Sequence, residues 1–227
     1  MIRLSSEADT TEVEEVVTDD AREALLGRIT DGLGDAVVGS HILPGKDLWV
    51  RVATDAWADT AAFARDSLGC GYFNWLSAVD WMPSPFGREM DSEVDTLVHG
   101  ADAKDPEPIE QGYAGGDTRF QVLARLNNVR DNFSLTFKVD VPDDTMEIAS
   151  ILSIYAGADW HEREAYEMYG ISFAGHHDLR RIYLPADFEG HPLRKDFPLL
   201  ARRVKPWPGI VDVEAMPGEE DEEGDDA

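Results

Sequence analysis

Alternation of apolar and polar positions is plainest at residues 133–140. Phe133, Leu135, Phe137 and Val139 fall on one face, and Ser134, Thr136, Lys138 and Asp140 on the other. A period of two is the signature of a half-buried strand. The stretch just before it, "RFQVLARLNNV" (119–129), predicts a hairpin partner. A second hairpin is predicted in "AVVGSHILPGKDLWVRVA" (36–53), where two apolar runs flank the turn signal Pro44-Gly45. In its second arm Leu48, Val50 and Val52 point one way, and Trp49 and Arg51 the other. "YFNWLSAVDW" (72–81) predicts one more strand.

Elsewhere the helical period takes over. In "DDAREALLGRITDGLG" Asp20 is placed to cap, Ala24, Leu25 and Ile29 share a face, and Gly32 or Gly34 stops the helix. "TDAWADTAAFARDSLGC" predicts a helix capped by Thr54 or Asp55 and stopped by Gly69. Two helical pieces are expected in 143–170. The first carries Asp144 and Glu147 at capping-box spacing and an apolar stripe of Ile148, Ile151, Leu152 and Tyr155. The second repeats that spacing at Asp159 and Glu162 and ends at Gly170. Strands and helices in this order predict an α+β fold, an antiparallel sheet covered by helices on one face. Residues 1–18 are expected to be an acidic flexible arm, 19–170 the globular domain, and 82–118, rich in Pro, Gly and acid, a surface loop.

Past Gly170 both periods vanish. Prolines at 185, 192, 198, 206, 208 and 217 break any helix and limit sheet pairing. Yet Ile171, Phe173, Leu179, Ile182, Tyr183, Leu184, Phe188, Leu193 and Phe197 are apolar, as are Trp207 and Ile210. A stretch this apolar should not stay solvated, and one this broken builds no core of its own. The expectation is a long extended C-terminal strap, residues 171–211, wrapped on a partner, able to reach roughly 130 Å at about 3.3 Å per residue.

Charge sharpens that picture. The chain of 227 residues carries a net charge of −26. Such a chain is not built for nucleic acid, which needs a basic surface, nor for direct attachment to anionic lipid. Residues 212–227 hold nine carboxylates and no base, and are expected to be a flexible acidic tail. Residues 176–205 run the other way, with seven Lys/Arg against four acids. The single cysteine, Cys70, excludes an intrachain disulfide, a thiolate-ligated iron–sulfur cluster and a structural zinc site of the usual kind. The N-terminal stretch lacks the apolar core of a signal peptide, and no apolar run approaches the roughly 20 residues that cross a bilayer. A cytoplasmic protein is expected, reaching a membrane only through a partner.

Catalytic chemistry finds little support in the residue patterns. His176, His177, Asp178 and His191 are metal-ligand types, but neighbouring side chains diverge in extended chain, so surface or hydrogen-bonding roles are favoured. "HEREA" approaches a zinc-protease helix but has Ala165 where the second histidine belongs. Glu162, Glu164 and Glu167 split around a helix, with Glu162 expected to cap and Arg163 to pair locally or with the strap. There is no P-loop, no Gly-x-Ser-x-Gly elbow and no nucleophile–base–orienter set. The cluster "HPLRKDFPL" reads either as a solvated turn or as a partner contact, and the flanking prolines, which limit chain entropy, favour contact.

Residues 158–199, "ADWHEREAYEMYGISFAGHHDLRRIYLPADFEGHPLRKDFPL", resemble the signature region of the C-subunit family of proton-pumping NADH:quinone oxidoreductase, respiratory complex I. The linked blocks are Glu162-Arg163-Glu164, Tyr169-Gly170-Ile171-x-Phe173-x-Gly175-His176, Asp178 to Ile182, and Gly190 to Asp196. Weaker likeness extends back to about residue 20. The family usually has proline where His177 stands and commonly phenylalanine where Tyr169 stands. The resemblance implies a protein without a redox centre in the hydrophilic arm, peripheral on the cytoplasmic side of a bacterial cell membrane. Its strap would brace the D-subunit, which forms the quinone site, near the iron–sulfur B- and I-subunits. FMN and the iron–sulfur clusters would sit in partner subunits, with NADH and quinone as substrates of the whole and proton translocation as its coupled work. No catalytic, cofactor or metal residue is expected in this chain. The partner contacts expected are Glu162, Arg163, Glu164, His176, Arg180, Arg181, His191, Pro192, Leu193, Arg194, Lys195, Asp196 and Phe197. Other readings are the same module in a membrane-bound hydrogenase or another donor dehydrogenase, a free-standing enzyme using the His/Arg cluster, and a generic acidic adaptor.

Overall fold

A computed structural model describes residues 18–83 and 108–197. The arm before residue 18, most of the 82–118 loop, and the strap and tail beyond residue 197 lie outside the described residues.

Five strands form the main sheet: β1 (Val37–Leu43), β2 (Asp47–Val52), β3 (Tyr72–Asp80), β4 (Phe120–Asn128) and β5 (Phe133–Val141), in the order β1-β2-β5-β4-β3. Both predicted hairpins form, β1–β2 around Pro44-Gly45 and β4–β5 around residues 129–132. Every pair is antiparallel except β2 with β5, which runs parallel in the register Val50 to Phe137. The chain leaves β2, builds a helix and two strands, and returns beside it, which is how a parallel neighbour arises in a sheet otherwise built of hairpins.

One face of this sheet is the core. Leu48, Val50 and Val52 line up with Leu135, Phe137 and Val139, with Val122, Ala124 and Leu126, and with Leu76 and Ala78, all buried. Leu25 and Ile29 of α1 (Asp20–Leu33) and Trp57, Ala61 and Ala64 of α2 (Trp57–Asp66) close over that face. Asp19 rather than Asp20 caps α1, its carboxylate taking the Arg22 N–H at 3.1 Å, and its other oxygen takes the Gly45 N–H at 2.8 Å. A single 3-10 turn, Thr54–Ala56, leads into α2 in place of the side-chain cap expected there.

The opposite face is polar yet also covered, by residues 108–118. Gln121 and Lys138 are almost wholly buried beneath them, and Thr136, also buried, accepts from Arg125 at 3.1 Å. Lys138 donates to the Tyr113 carbonyl at 2.7 Å, Gln121 to the Asp140 carboxylate at 2.5 Å and the Gly115 carbonyl at 3.1 Å, and Arg51 bridges Asp140 and Asp117 at 2.6 Å each. Burial pushes the Lys138 amine down to about 8. Close approach is permitted by Gly39, where a Cβ would stand 2.6 Å from the Ala114 carbonyl oxygen.

The first helical piece expected after residue 143 does not form. Glu147–Ala149 is instead a short strand, β6, paired in parallel with β7 (Ser172–Ala174), and residues 151–157 are tight turns. The second piece is present as α3 (Ala158–Tyr169), which packs on the free edge of β3, with His161 Nδ1 2.9 Å from the Leu76 carbonyl. Among the described residues no helix is long and apolar enough to cross a membrane.

Candidate partner-docking surface

The site is built from α3 outward. Gly157 precedes it with no side-chain cap, so the capping box expected of Asp159 and Glu162 is absent. Glu162 is fully buried and serves another loop: its carboxylate takes the Ile151 N–H at 2.7 Å and the Ser150 hydroxyl at 2.5 Å. Burial pushes its carboxyl up to about 7. Arg163, also buried, lays its guanidinium over the exposed Trp160 ring at 5.0 Å and donates to the Arg180 carbonyl at 3.0 Å.

At its C-terminus α3 ends in the left-handed Gly170, φ 76°. Here a Cβ would meet His191 Nε2 at 2.6 Å and Arg194 Nη2 at 2.7 Å. The glycine is thus required twice, for its conformation and for the room it leaves the returning chain. That chain satisfies carbonyls that every helix leaves open at its end. The Glu167 carbonyl lies 2.8 Å from His191 Nδ1, the Met168 carbonyl accepts the Leu193 N–H at 3.2 Å, and the Tyr169 carbonyl accepts Arg194 Nε at 2.6 Å.

Two carboxylates pin the segment further. Glu167, 2% exposed, collects three consecutive backbone N–H groups, from Ile182 and Tyr183 at 2.9 Å and Leu184 at 2.7 Å. Burial alone would raise its carboxyl, but these donors outweigh it and hold the group below the usual carboxylate value. Asp80, at the end of β3, takes the Lys195 N–H at 2.8 Å and both Nε and Nη2 of Arg119 at 2.9 and 2.7 Å. Burial opposes ionisation there too, and Arg119 leads the donors that pull the carboxyl below its usual value. Arg119 also reaches Asp196 at 2.9 Å, and both Arg119 and Arg194 lie over the Phe120 ring. Phe188 and Phe197 stack at 5.9 Å.

The expectation that this ribbon finds no seat on its own chain is corrected for residues 171–197. They rest on α3 and on the β3–β4 end of the sheet, because charged side chains of the domain supply the hydrogen bonds that a proline-broken chain cannot make with itself. Of the thirteen residues expected to face a partner, Glu162 and Arg163 are buried. The His176 side chain is fully enclosed. His191, Pro192, Arg194 and Phe197 are half-buried against the domain, as is Glu164 on α3, while Arg180, Arg181, Leu193, Lys195 and Asp196 are exposed. Two residues outside that set stand out with them: Trp160 at 61% and Tyr183 at 62% exposure. The signal for Trp160 was available in the sequence, as an aromatic beside three charged residues on a helix. Arg163 and Glu167, one turn apart on α3, contact the Trp160 ring and the backbone of Arg180 and Tyr183, and these three exposed residues make up the ridge.

Known proteins share the sequence pattern and the fold of this chain. The sequence model of the family described as "Respiratory-chain NADH dehydrogenase, 30 Kd subunit" matches residues 50–203. The C-subunit of NADH-quinone oxidoreductase in Brucella ovis is 34% identical over 183 residues, 81% of this chain and 75% of that one. Its counterpart in Brucella abortus is 34% identical over the same shares. A chain of the membrane-bound sulfane sulfur reductase, an archaeal respiratory membrane complex, shares the fold at a TM-score of 0.55 and 19% identity, over 84% of this chain and 96% of that one.

Proposed function

Since this chain belongs to the family of the 30 kDa subunit of respiratory-chain NADH dehydrogenase, as the C-subunit of NADH-quinone oxidoreductase, we propose that it is a non-redox structural component bracing the quinone site. In this reading its ridge and strap dock on the D-subunit, close to the iron–sulfur B- and I-subunits, on the cytoplasmic side of a bacterial membrane. Electrons would pass from NADH through FMN and the clusters of partner subunits to the quinone, coupled to proton translocation, and none would pass through this chain.

One observation carries the reading. The strap is tethered to its own domain by groups turned inward, while Trp160, Arg180, Tyr183 and Leu193 are turned outward and left with nothing to cover them among the described residues. Trp, Tyr and Arg are the side chains that most often anchor protein interfaces. The inward tethers set the chain's shape before it meets a partner, which lowers the ordering cost of docking. An interface joining this ridge to the remaining strap should exceed the standard total of about 1,600 Å². The related-donor reading, in which the same module serves another dehydrogenase, has the shared fold behind it and no more.

The test is assembly against turnover. Arg194→Ala removes the tether to the end of α3, and Asp196→Ala the one to Arg119. Both are expected to reduce the amount of assembled complex recovered in gentle detergent. NADH:quinone turnover should fall only in proportion. A fully assembled mutant complex without turnover would overturn the bracing role and point to direct action at the quinone site. The D-, B- and I-subunits are expected to copurify with this chain, and recovery of hydrogenase-type partners instead would favour the other-donor reading.

A further inference from the structure

We propose that Asp159, His176 and His177 form a binding site for one divalent transition-metal ion of the zinc type, which staples the root of the strap to α3. The divergence expected of adjacent histidines does not occur. A turn closed by the His176 N–H on the Phe173 carbonyl, with Gly175 at φ 89°, bends the chain after β7. It leaves the two imidazoles parallel within 8° and 5.2 Å apart. Asp159, in the first turn of α3, completes a set whose three donor atoms all lie within 4.8 Å of one another.

The spacing of His176 and Asp159 suits a shared ion better than it suits a hydrogen bond. His176 Nε2 lies 3.3 Å from Asp159 Oδ1 and 3.4 Å from the Asp159 carbonyl. A good hydrogen bond to a carboxylate would be about 2.8 Å. Two donors on one tetrahedral zinc, each bonded at about 2.0–2.1 Å, stand about 3.3 Å apart. The second oxygen of Asp159 faces Arg163 at 3.9 Å, which leaves Oδ1 for the ion. Glu162 Oε2, 4.0 Å from His176 Nε2, stands behind as a further donor held in place by Ser150. The His176 side chain is enclosed and His177 is exposed, so the site has a rigid floor and an open entrance. Two imidazoles with a carboxylate select zinc, cobalt or nickel over magnesium and calcium, which take oxygen donors.

Loading has a local consequence. The Asp178 N–H donates to His176 Nδ1 at 3.0 Å, which puts the ring proton on Nε2. Coordination through Nε2 moves that proton to Nδ1, with no net release, and turns the Asp178 amide away. An ion held loosely on surface histidines would leave this amide and this tautomer unchanged.

The experiment uses the full chain, free of any tag and stripped of metal. Zinc is titrated by calorimetry, cobalt by visible absorption, and histidine tautomers are followed by nitrogen-15 NMR. One zinc per chain is expected, with four- or five-coordinate cobalt bands, a raised melting temperature, and a switch of His176 from the Nε2–H to the Nδ1–H form. Magnesium in large excess should not compete. His177→Ala, at an exposed position, and Asp159→Asn should each weaken zinc binding at least about tenfold and abolish the tautomer switch. Absence of zinc uptake, wild-type affinity in either variant, or uptake without the tautomer switch overturns the site. None of these outcomes bears on which assembly the chain joins.

Discussion

Glu162 shows how far a residue's spacing can mislead about its work. Its distance from Asp159 is that of a capping box, but α3 begins two residues too early for Asp159 to cap. The carboxyl turns instead to the Ser150 hydroxyl and the Ile151 backbone in a fully buried position. Nothing in the sequence near residue 162 names those partners, because they come from a loop twelve residues upstream whose path is set by β6–β7 pairing. The consequence is a pH dependence with a definite sign. Burial raises the folded-state carboxyl to about 7 from an unfolded value near 4.5. Between those values the folded state holds the proton more tightly, so this group's contribution is fully present below about 4.5 and is lost as pH rises through 7. Thermal melts of the full chain should therefore show stability falling from about pH 5 to about pH 8. Glu162→Gln, which keeps an acceptor for Ile151 and carries no charge, should flatten that slope and raise the melting temperature at the alkaline end. An unchanged slope would mean that neighbouring cations hold Glu162 ionised.

At the scale of elements, the strands were legible because each carries its alternation locally. Phe133 to Asp140 reads as β5 without any knowledge of its neighbours. Ile148, Ile151, Leu152 and Tyr155 also have a regular spacing, that of a helix, and here long-range pairing won over local period. Ile148 is buried in β6 opposite Phe173, and Ile151 and Tyr155 are buried from turns. Met146, at φ 51°, precedes that strand in a conformation no helix allows. The strap illustrates the opposite limit. Its lack of period was legible, and its seat was not, since the groups that hold it, Glu167, Asp80 and the open carbonyls of α3, look like ordinary helix and strand polarity in sequence. Glu167 is the strongest single clamp, with three backbone donors on one carboxylate. Hydrogen bonds to a charged group contribute about 1.5–3 kcal/mol. Glu167→Gln presents an amide N–H to one side of that nest and should free residues 180–197. Trypsin should then cut after Arg180, Arg181 and Arg194 many times faster than in wild type, with α3 intact. Because the native carboxyl is held below its usual value, its contribution is present above the unfolded carboxylate range and lost as pH falls through the folded value. The same cleavage in the wild type should therefore be promoted by acid exposure, assayed with an acid-active protease, and not by alkali.

For the molecule as a whole, the docking proposed for the outward groups on α3 and the strap would make stability and assembly separately adjustable. Trp160 lies over Arg163 but is 61% exposed, so truncating it in the isolated chain removes one cation–π contact and little packing. Trp160→Ala should change the stability of the free chain by no more than about 1 kcal/mol. At a docked interface the same ring, together with the 62% exposed Tyr183, would be enclosed, and truncating such an anchor costs on the order of 2 kcal/mol or more. Ile151 makes the contrast: wholly buried beside Tyr155, it should lower stability by about 2–5 kcal/mol on truncation to Ala and lower assembly only through loss of folded chain. The two variants are compared by melting temperature of the purified chain and by the amount of chain recovered with its partners from detergent-solubilised membranes. Trp160→Ala is expected to leave the first nearly unchanged and reduce the second, and Ile151→Ala to lower both together. If Trp160→Ala and Tyr183→Ala combined leave assembly at the wild-type level, the ridge faces water in the complex, and docking must run through the far side of the sheet or through the chain beyond residue 197.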